Sequence, residues 1–224
     1  MLRPLGTGRL NAPRIGFAVF LASFTLFAVT TSPLVGYEPE TAAVTEGLVE
    51  HGEPRIVRGG SLTLSAQRGP DGGLYGRATL PQPLLEVPFY SAGKLFDAVR
   101  GSGADSPGRR DALMFFNPFM AALGAAAVFG IVLLRIGSVR WGLAVAAAFS
   151  LGSLAWPYSK IGVETTFMSL AAMTLFLVLL SLRRDRVALW ALTGVVAGAA
   201  AIAKNYAVVA VAPLFLPLLA CVGT

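Results

Sequence analysis

Charge is scarce in this chain. Asp, Glu, Lys and Arg make up 13% of its 224 residues, about half the share usual in soluble domains. Hydrophobic residues make up 55%, and the mean hydropathy is +0.68. A soluble domain of this length cannot bury so much apolar surface, so the excess is expected to face lipid. Cysteine is almost absent: the single one, Cys221, sits inside an apolar run. An internal disulfide is thereby excluded, and any part outside the cytoplasm must hold together by packing alone. His51 is the only histidine, and no cluster with metal-ligand spacing occurs. The net charge of +6 would point to nucleic acid only if the basic residues formed a patch, and their positions argue otherwise.

What the chain does have is long apolar runs. Ile15 to Val35 carries no charge and is long enough to cross a hydrocarbon core of roughly 30 Å. Further spans are expected at about Ala112–Leu134, Trp141–Tyr158, Val163–Leu182, Val187–Ala203, and from Ala207 to the end. Basic residues mark alternate flanks: Arg3, Arg9 and Arg14, then Arg135 and Arg140, then Arg183, Arg184 and Arg186. Together these flanks hold eight basic residues against one acid, Asp185, which is more positive charge than the whole chain carries. No basic patch is left over for nucleic acid. By the positive-inside rule the three flanks are cytoplasmic. That reading makes residues 1–14 a cytoplasmic N-terminus, 15–36 the first membrane helix, 37–111 an extracytoplasmic loop, and 112–224 membrane helices two to six. The first apolar stretch is longer than a signal-peptide core, and Ser32-Pro33-Leu34-Val35-Gly36 is a poor cleavage site, so the helix is expected to stay uncleaved. The last residues, Leu218 to Thr224, are still apolar with no polar tail, which reads as the N-terminal portion of a longer protein.

The outer loop, Tyr37 to Asp111, holds ten of the twelve acidic residues. Its opening, Gly36 to Gly52, reads as a short amphipathic helix along the membrane surface, with Pro39 and acids in the first turn and Gly52 as the stop. Ser61–Ser65 and Leu74–Ala78 read as strands of a small hairpin around Arg68-Gly69-Pro70-Asp71-Gly72-Gly73. The run from Leu80 through Val99, with Pro88 inside it, reads as an interfacial or re-entrant helix. Gly101 to Gly108 reads as a connector. The fold class is therefore an all-α membrane protein: a multi-pass helical bundle with a long first extracytoplasmic loop that contains short surface helices and a small hairpin.

Several residues are placed for chemistry. Glu38 and Glu40 stand at the outer mouth of the first span. A carboxylate there could take a proton from an acceptor hydroxyl; equally, the pair suits an acid-rich helix N-terminus stabilised by its dipole. Lys160, Glu164 and Lys204 are the charged residues of the two short outer turns. They could hold a lipid phosphate, or the lysines could snorkel and Lys160 pair with Glu164 one turn away. Arg77 and Lys94 could also meet a phosphate, although Lys94 reads better as a solvated loop charge. Trp156, Tyr158 and Tyr206 fall at outer boundaries and read as an aromatic belt. Asn117-Pro118, Pro213 and Pro217 mark kinks, and the Gly194/Gly198 spacing suggests close helix packing.

In order, the chain gives a basic N-terminus, one span, an acid-bearing surface helix, Tyr75-Gly76-Arg77 followed by Leu80-Pro81-Gln82-Pro83-Leu84-Leu85, then Trp156-Pro157-Tyr158-Ser159-Lys160 and Val163-Glu164-Thr165-Thr166. This order resembles the bacterial GT-C membrane glycosyltransferases, the group related to protein O-mannosyltransferases and aminoarabinose and arabinose transferases. The likeness covers most of the chain as the N-terminal part of the family's usual length, and its motifs are loose. It implies a GT-C-like bundle in the cytoplasmic membrane that moves a sugar from a polyprenyl-phosphate donor to a lipid, glycan or protein acceptor on the outer side. It also implies that Glu38, with Glu40 next, supplies the catalytic base. Tyr37 stands where the family's leading aspartate would be. Tyr75, Arg77 and Gln82 match a substrate-binding segment in which Gly76 replaces a serine, and Glu164 and Lys204 match further family positions. The implied chemistry is an inverting displacement with Lys160, Lys204 and Arg77 on the lipid phosphate. No nucleotide cofactor is expected; relatives can use a divalent metal, but no convincing ligand set is seen here. Two other readings remain open: a truncated, inactive relative, and a non-catalytic transporter or assembly subunit.

Overall fold

The computed structural model describes residues 11–31, 38–56, 66–76, 80–101, 108–160, 162–184 and 186–203, without the side chains of Glu38, Val163 and Glu164. The expected sixth span and Ser61–Ser65 lie outside the described residues. In chain order the elements are α1 (Ala12–Val29), α2 (Glu38–His51), β1 (Gln67–Arg68), β2 (Leu74–Tyr75), α3 (Pro81–Val99), α4 (Gly108–Leu113), α5 (Phe116–Ile136), α6 (Val139–Gly152), α7 (Ala155–Tyr158), α8 (Gly162–Arg184) and α9 (Val187–Ala203). The described residues are thus mostly helical. Among the described residues, three stretches are long and apolar enough to cross a membrane: Ala12–Val29, Gly108–Ile136 and Thr165–Arg184. α6 and α9 are apolar but shorter, at 14 and 17 residues.

Packing contacts fix the helix directions. Phe27 packs with Ala121 and Ala122, and Gly16 faces Phe129, so α1 and α5 run antiparallel. Gly124 meets Ser169 and Gly130 meets Phe176, so α5 and α8 run parallel. Gly142 meets Phe129, and Ser181 meets Thr193 at 3.3 Å, so α6 runs back along α5 and α9 back along α8. α5 lies at the centre and touches α1, α6 and α8. The turn between α5 and α6 needs only Gly137, in the left-handed conformation at φ 75°, and Ser138, whose hydroxyl accepts from the Trp141 amide.

Charge follows these directions. Arg14 begins α1, Arg135 ends α5, Arg140 begins α6, Arg183 and Arg184 end α8, and Arg186 precedes α9. All of these belong to one end of the bundle, where Arg183 donates to the carbonyl of Leu134. The opposite end carries α2, α3, α4 and the hairpin. Leu85 and Phe89 of α3 dock there against Phe116 and Met120 of α5, within a cluster that includes Leu170 and Ala200.

Several local expectations are revised. The second span is not one helix: Met114 and Phe115 interrupt it, and α4 begins as early as Gly108. Pro118 has no N–H to reach the Met114 carbonyl, and Thr31 Oγ1 donates to that carbonyl instead, at 3.3 Å. The third span divides into α6 and α7 at Ser153. Its Oγ donates to Phe149 O at 2.5 Å and accepts from the Ala155 amide at 3.1 Å, so one side chain ends α6 and starts α7. The hairpin pairs Gln67 with Tyr75 and Arg68 with Leu74, later in the chain than the expected first strand. Between the bundle helices, the glycines that admit close packing among the described residues are Gly124, Gly130 and Gly142. Gly194 and Gly198 meet nothing among the described residues, so their spacing does not mark a packing seam there.

Candidate functional site

The α2–α3 pair is built the opposite way from a soluble amphipathic pair. α2 starts at Glu38, with Pro39 in its first turn, and stops where Gly52 takes φ 74°. α3 is continuous through Pro88, which removes only the N–H that would reach Leu84 O. The inward face of α3 carries Gln82, Glu86, Tyr90, Gly93 and Asp97 at one-turn intervals, all buried, with Gly93 and Asp97 against α4. α2 answers with buried Glu40, Thr41 and Thr45.

Here polar groups meet out of water. Glu86 accepts from Thr45 Oγ1 through one oxygen and from Gln82 Nε2 through the other, each at 2.8 Å. A buried carboxylate needs such donors, since a lost partner leaves the full desolvation cost in place. Gln82 Oε1 is buried with no hydrogen-bond partner among the described residues. Glu40, 2% exposed, lies against the hairpin. A side chain at Gly76 would come within 3.0 Å of Glu40 Oε1 and 2.9 Å of Val44. Gly76 therefore makes room for the carboxylate.

A second polar cluster closes the other end of the pair. Glu50 accepts from Lys94 Nζ at 2.8 Å, Arg109 Nη1 at 3.1 Å and the Tyr90 hydroxyl at 3.4 Å. The hydrogen bond from Lys94, with the nearby charges of Lys94 and Arg109, holds the Glu50 carboxyl below its ordinary range. Burial pushes the Tyr90 phenol up. Arg109 also faces buried Asp97 at 3.7 Å, and Arg110 faces Glu46 at 3.6 Å. These pairs tie α4 to α2 and α3. Lys94, which the sequence placed as a loop charge, stands on α3, partly exposed and paired with Glu50.

Of the residues singled out in the sequence, Glu40 and Gln82 come together in the α2–α3 unit. Tyr75 sits on the adjoining hairpin, where its hydroxyl donates to Asp71 Oδ2 at 2.8 Å. That bond holds the Asp71 carboxyl low and raises the phenol. Lys160 lies after α7 with its Nζ 5.9 Å from the Trp156 ring, and Trp156 packs edge-on against Phe27. Trp156 is therefore a packing residue as well as a boundary aromatic. By connectivity Lys160 and the backbone of Glu164 belong to the bundle end that bears α2 and α3. The side chains of Glu38 and Glu164, and all of Arg77 and Lys204, lie outside the described residues. Sequence reasoning passed over Glu86, Glu50, Tyr90, Asp97 and Arg109. The signal available for α3 was the spacing of Gln82, Glu86, Tyr90 and Asp97 by whole helical turns. Among the described residues, no group of three or more His, Cys, Asp and Glu side chains is placed to hold a metal ion.

Neither a protein-family model nor a curated protein matches this chain.

Proposed function

We propose that this chain is a GT-C-like glycosyltransferase. It crosses the cytoplasmic membrane several times, with the arginine-rich end inside and the α2–α3 unit outside. The observation that supports this reading best is the sorting of the two bundle ends: arginines with no acid among the described residues at one, and at the other an acid-bearing docked helical pair with Glu38 as its first residue. A positive end suits the cytoplasm, and a carboxylate at the opposite membrane margin suits proton removal from a hydroxyl.

In this reading Glu38 is the base, because Glu40 is enclosed beside Gly76 and serves to seat α2 against the hairpin. The acceptor oxygen bonds to the anomeric carbon as that carbon's bond to the phosphate oxygen breaks. The hydroxyl proton passes to Glu38, and polyprenyl phosphate leaves with the electron pair. Lys160, Lys204 and Arg77 hold its charge, and Gln82, Tyr75 and Glu164 complete the substrate contacts. The test is sugar transfer from a defined polyprenyl-phosphate sugar by the full chain in lipid. Glu38→Gln is expected to lower the rate by about 10²- to 10⁴-fold, the usual weight of a general base. Wild-type transfer by Glu38→Gln removes that residue as base. No transfer by the wild-type chain removes the enzymatic reading and leaves an inactive relative or a non-catalytic membrane subunit.

A further inference from the structure

α3 turns its polar residues inward and its apolar residues outward. Its exposed face carries Leu80, Leu84, Leu95, Phe96 and Val99, with Leu95 at 67% and Val99 at 80% exposure. Between Leu80 and Val99 its charged residues are Glu86, Lys94 and Asp97: the two acids are buried, and Lys94 is engaged by Glu50. A helix of 19 residues makes this stripe about 28 Å long at 1.5 Å per residue. In water such a stripe would be an aggregation surface. Lying in a leaflet it is an ordinary interfacial helix.

Beside the stripe, between α3 and the start of α4–α5, is a cavity of about 440 Å³. Phe89, Ala92 and Phe96 wall one side, and Ala112 and Phe115 the other. Ala112 and Phe115 belong to the candidate span Gly108–Ile136, so the cavity opens onto the surface that span presents to lipid. Arg100 stands at the rim with its guanidinium 4.1 Å from the centre of the Phe96 ring. Stacking uses the face of the guanidinium and leaves its N–H edge, which carries the donors that suit phosphate oxygens. Exposed Asp111 also lines the cavity and suits an ammonium group.

We propose that α3 lies in the acyl margin of the leaflet bordering the α2–α3 unit, and that the cavity takes an acyl chain of a zwitterionic phospholipid whose phosphate meets Arg100. The proposal depends on the chain residing in a membrane and not on sugar transfer. A lipid fits this place because the apolar stripe, the cavity wall and the spanning helix form one continuous surface, and the cation comes where the stripe ends.

The test uses the full chain with Cys221→Ser, carrying a spin label at Leu95→Cys or Val99→Cys, and at Gln67→Cys on the exposed hairpin as the aqueous control. It is reconstituted in phosphatidylethanolamine-containing nanodiscs. Labels at 95 and 99 are expected to collide more often with oxygen than with a water-soluble nickel complex, and the label at 67 the reverse. Labels at 95 and 99 that behave like 67 overturn the proposal, as do labels shielded from both reagents, which would report a protein partner. For the cavity, phosphatidylethanolamine retained through detergent washing is measured by native mass spectrometry. Ala92→Trp fills the cavity from an exposed position and is expected to lose most of the retained lipid, and Arg100→Glu to lose part of it. Equal retention by wild type and both variants overturns the lipid site, even where the labels report lipid.

Discussion

The two ends of this molecule are held together by different physics. In the bundle, helices approach over small residues and aromatic edges: Ala121, Ala122 and Ala125 are buried on α5, and Phe20, Phe24 and Phe119 meet at ring distances of 5.4 to 6.4 Å. In the α2–α4 unit, buried carboxylates, hydroxyls and a guanidinium surround a small apolar cluster of Ala42, Tyr90 and Leu113. The first arrangement suits a lipid solvent, where the hydrophobic effect does not favour one apolar partner over another and close packing must do the holding. The second turns charge inward and leaves hydrocarbon outside. The difference teaches that hydropathy alone reports where lipid is, while the polar stripe reports where the second layer of structure lies.

Glycine substitutions should break the comparison most sharply. A side chain at Gly47 would strike the backbone carbonyls of Arg55 and Glu53, and one at Gly93 would come within 2.6 Å of the Gly108 carbonyl. Backbone cannot swing aside, so Gly47→Ala and Gly93→Ala are expected to destabilise by about 3 kcal/mol or more. At Gly130 the obstacle is the Phe176 ring edge at 2.5 Å, a side chain that can shift, so Gly130→Ala should cost less, about 1 kcal/mol. Thermal unfolding in lipid or mild detergent checks the order; equal losses would refute the contrast.

Next in size is Glu50→Gln. It removes the charge shared by Lys94 and Arg109 and leaves Asp97 as the charged partner of Arg109. Since Lys94 is partly exposed, most of the expected loss of about 2 kcal/mol comes from Arg109. Proteolysis within 102–107 or hydrogen exchange in α4 reads the loosening directly, and an unchanged pattern would mean the pair is idle.

Acid should act on the same end. Glu50 has a folded-state pKa below its ordinary value of 4.5. Its contribution is therefore present above about pH 4.5 and is lost as the pH falls through the lowered folded value. Wild type should lose more stability than Glu50→Gln between neutral pH and that range. Parallel losses would assign the acid sensitivity elsewhere.

The smallest effect is expected from hydroxyl pairs inside the bundle. Ser23 with Ser150 at 3.5 Å and Ser181 with Thr193 at 3.3 Å are interhelical contacts. Ser23→Ala or Ser181→Ala should cost about 0.6 kcal/mol.

Much of the architecture could be read from residue order. Arginines at alternate flanks gave the directions in which α1, α5, α6, α8 and α9 run. Pro39 and Gly52 bracketed α2 to within a residue. The break at Met114 was partly legible, because Pro118 had to free a carbonyl somewhere in the preceding turn. The interior of the α2–α4 unit was not legible, because Lys94, Arg109 and Glu50 are far apart in sequence and only the fold shows that they share one site. Glu86 was hidden by its neighbours, since a carboxylate in an apolar run can as well face solvent. The Gly194/Gly198 spacing states a periodicity but not which surface covers it, and the expected sixth span lies outside the described residues. Gly124, Gly130 and Gly142, separated by larger and unequal steps, form close approaches within the described bundle.

The central claim is that the two ends of the bundle lie on opposite sides of a membrane, with the carboxylate-bearing unit outside. Cysteine accessibility in intact cells tests it most directly, using the full chain with Cys221→Ser and a membrane-impermeant thiol reagent. Gln67→Cys on the hairpin should react in intact cells, and Arg140→Cys at the basic end only after permeabilisation. Reaction at Arg140→Cys in intact cells, with protection at Gln67→Cys, would contradict the account.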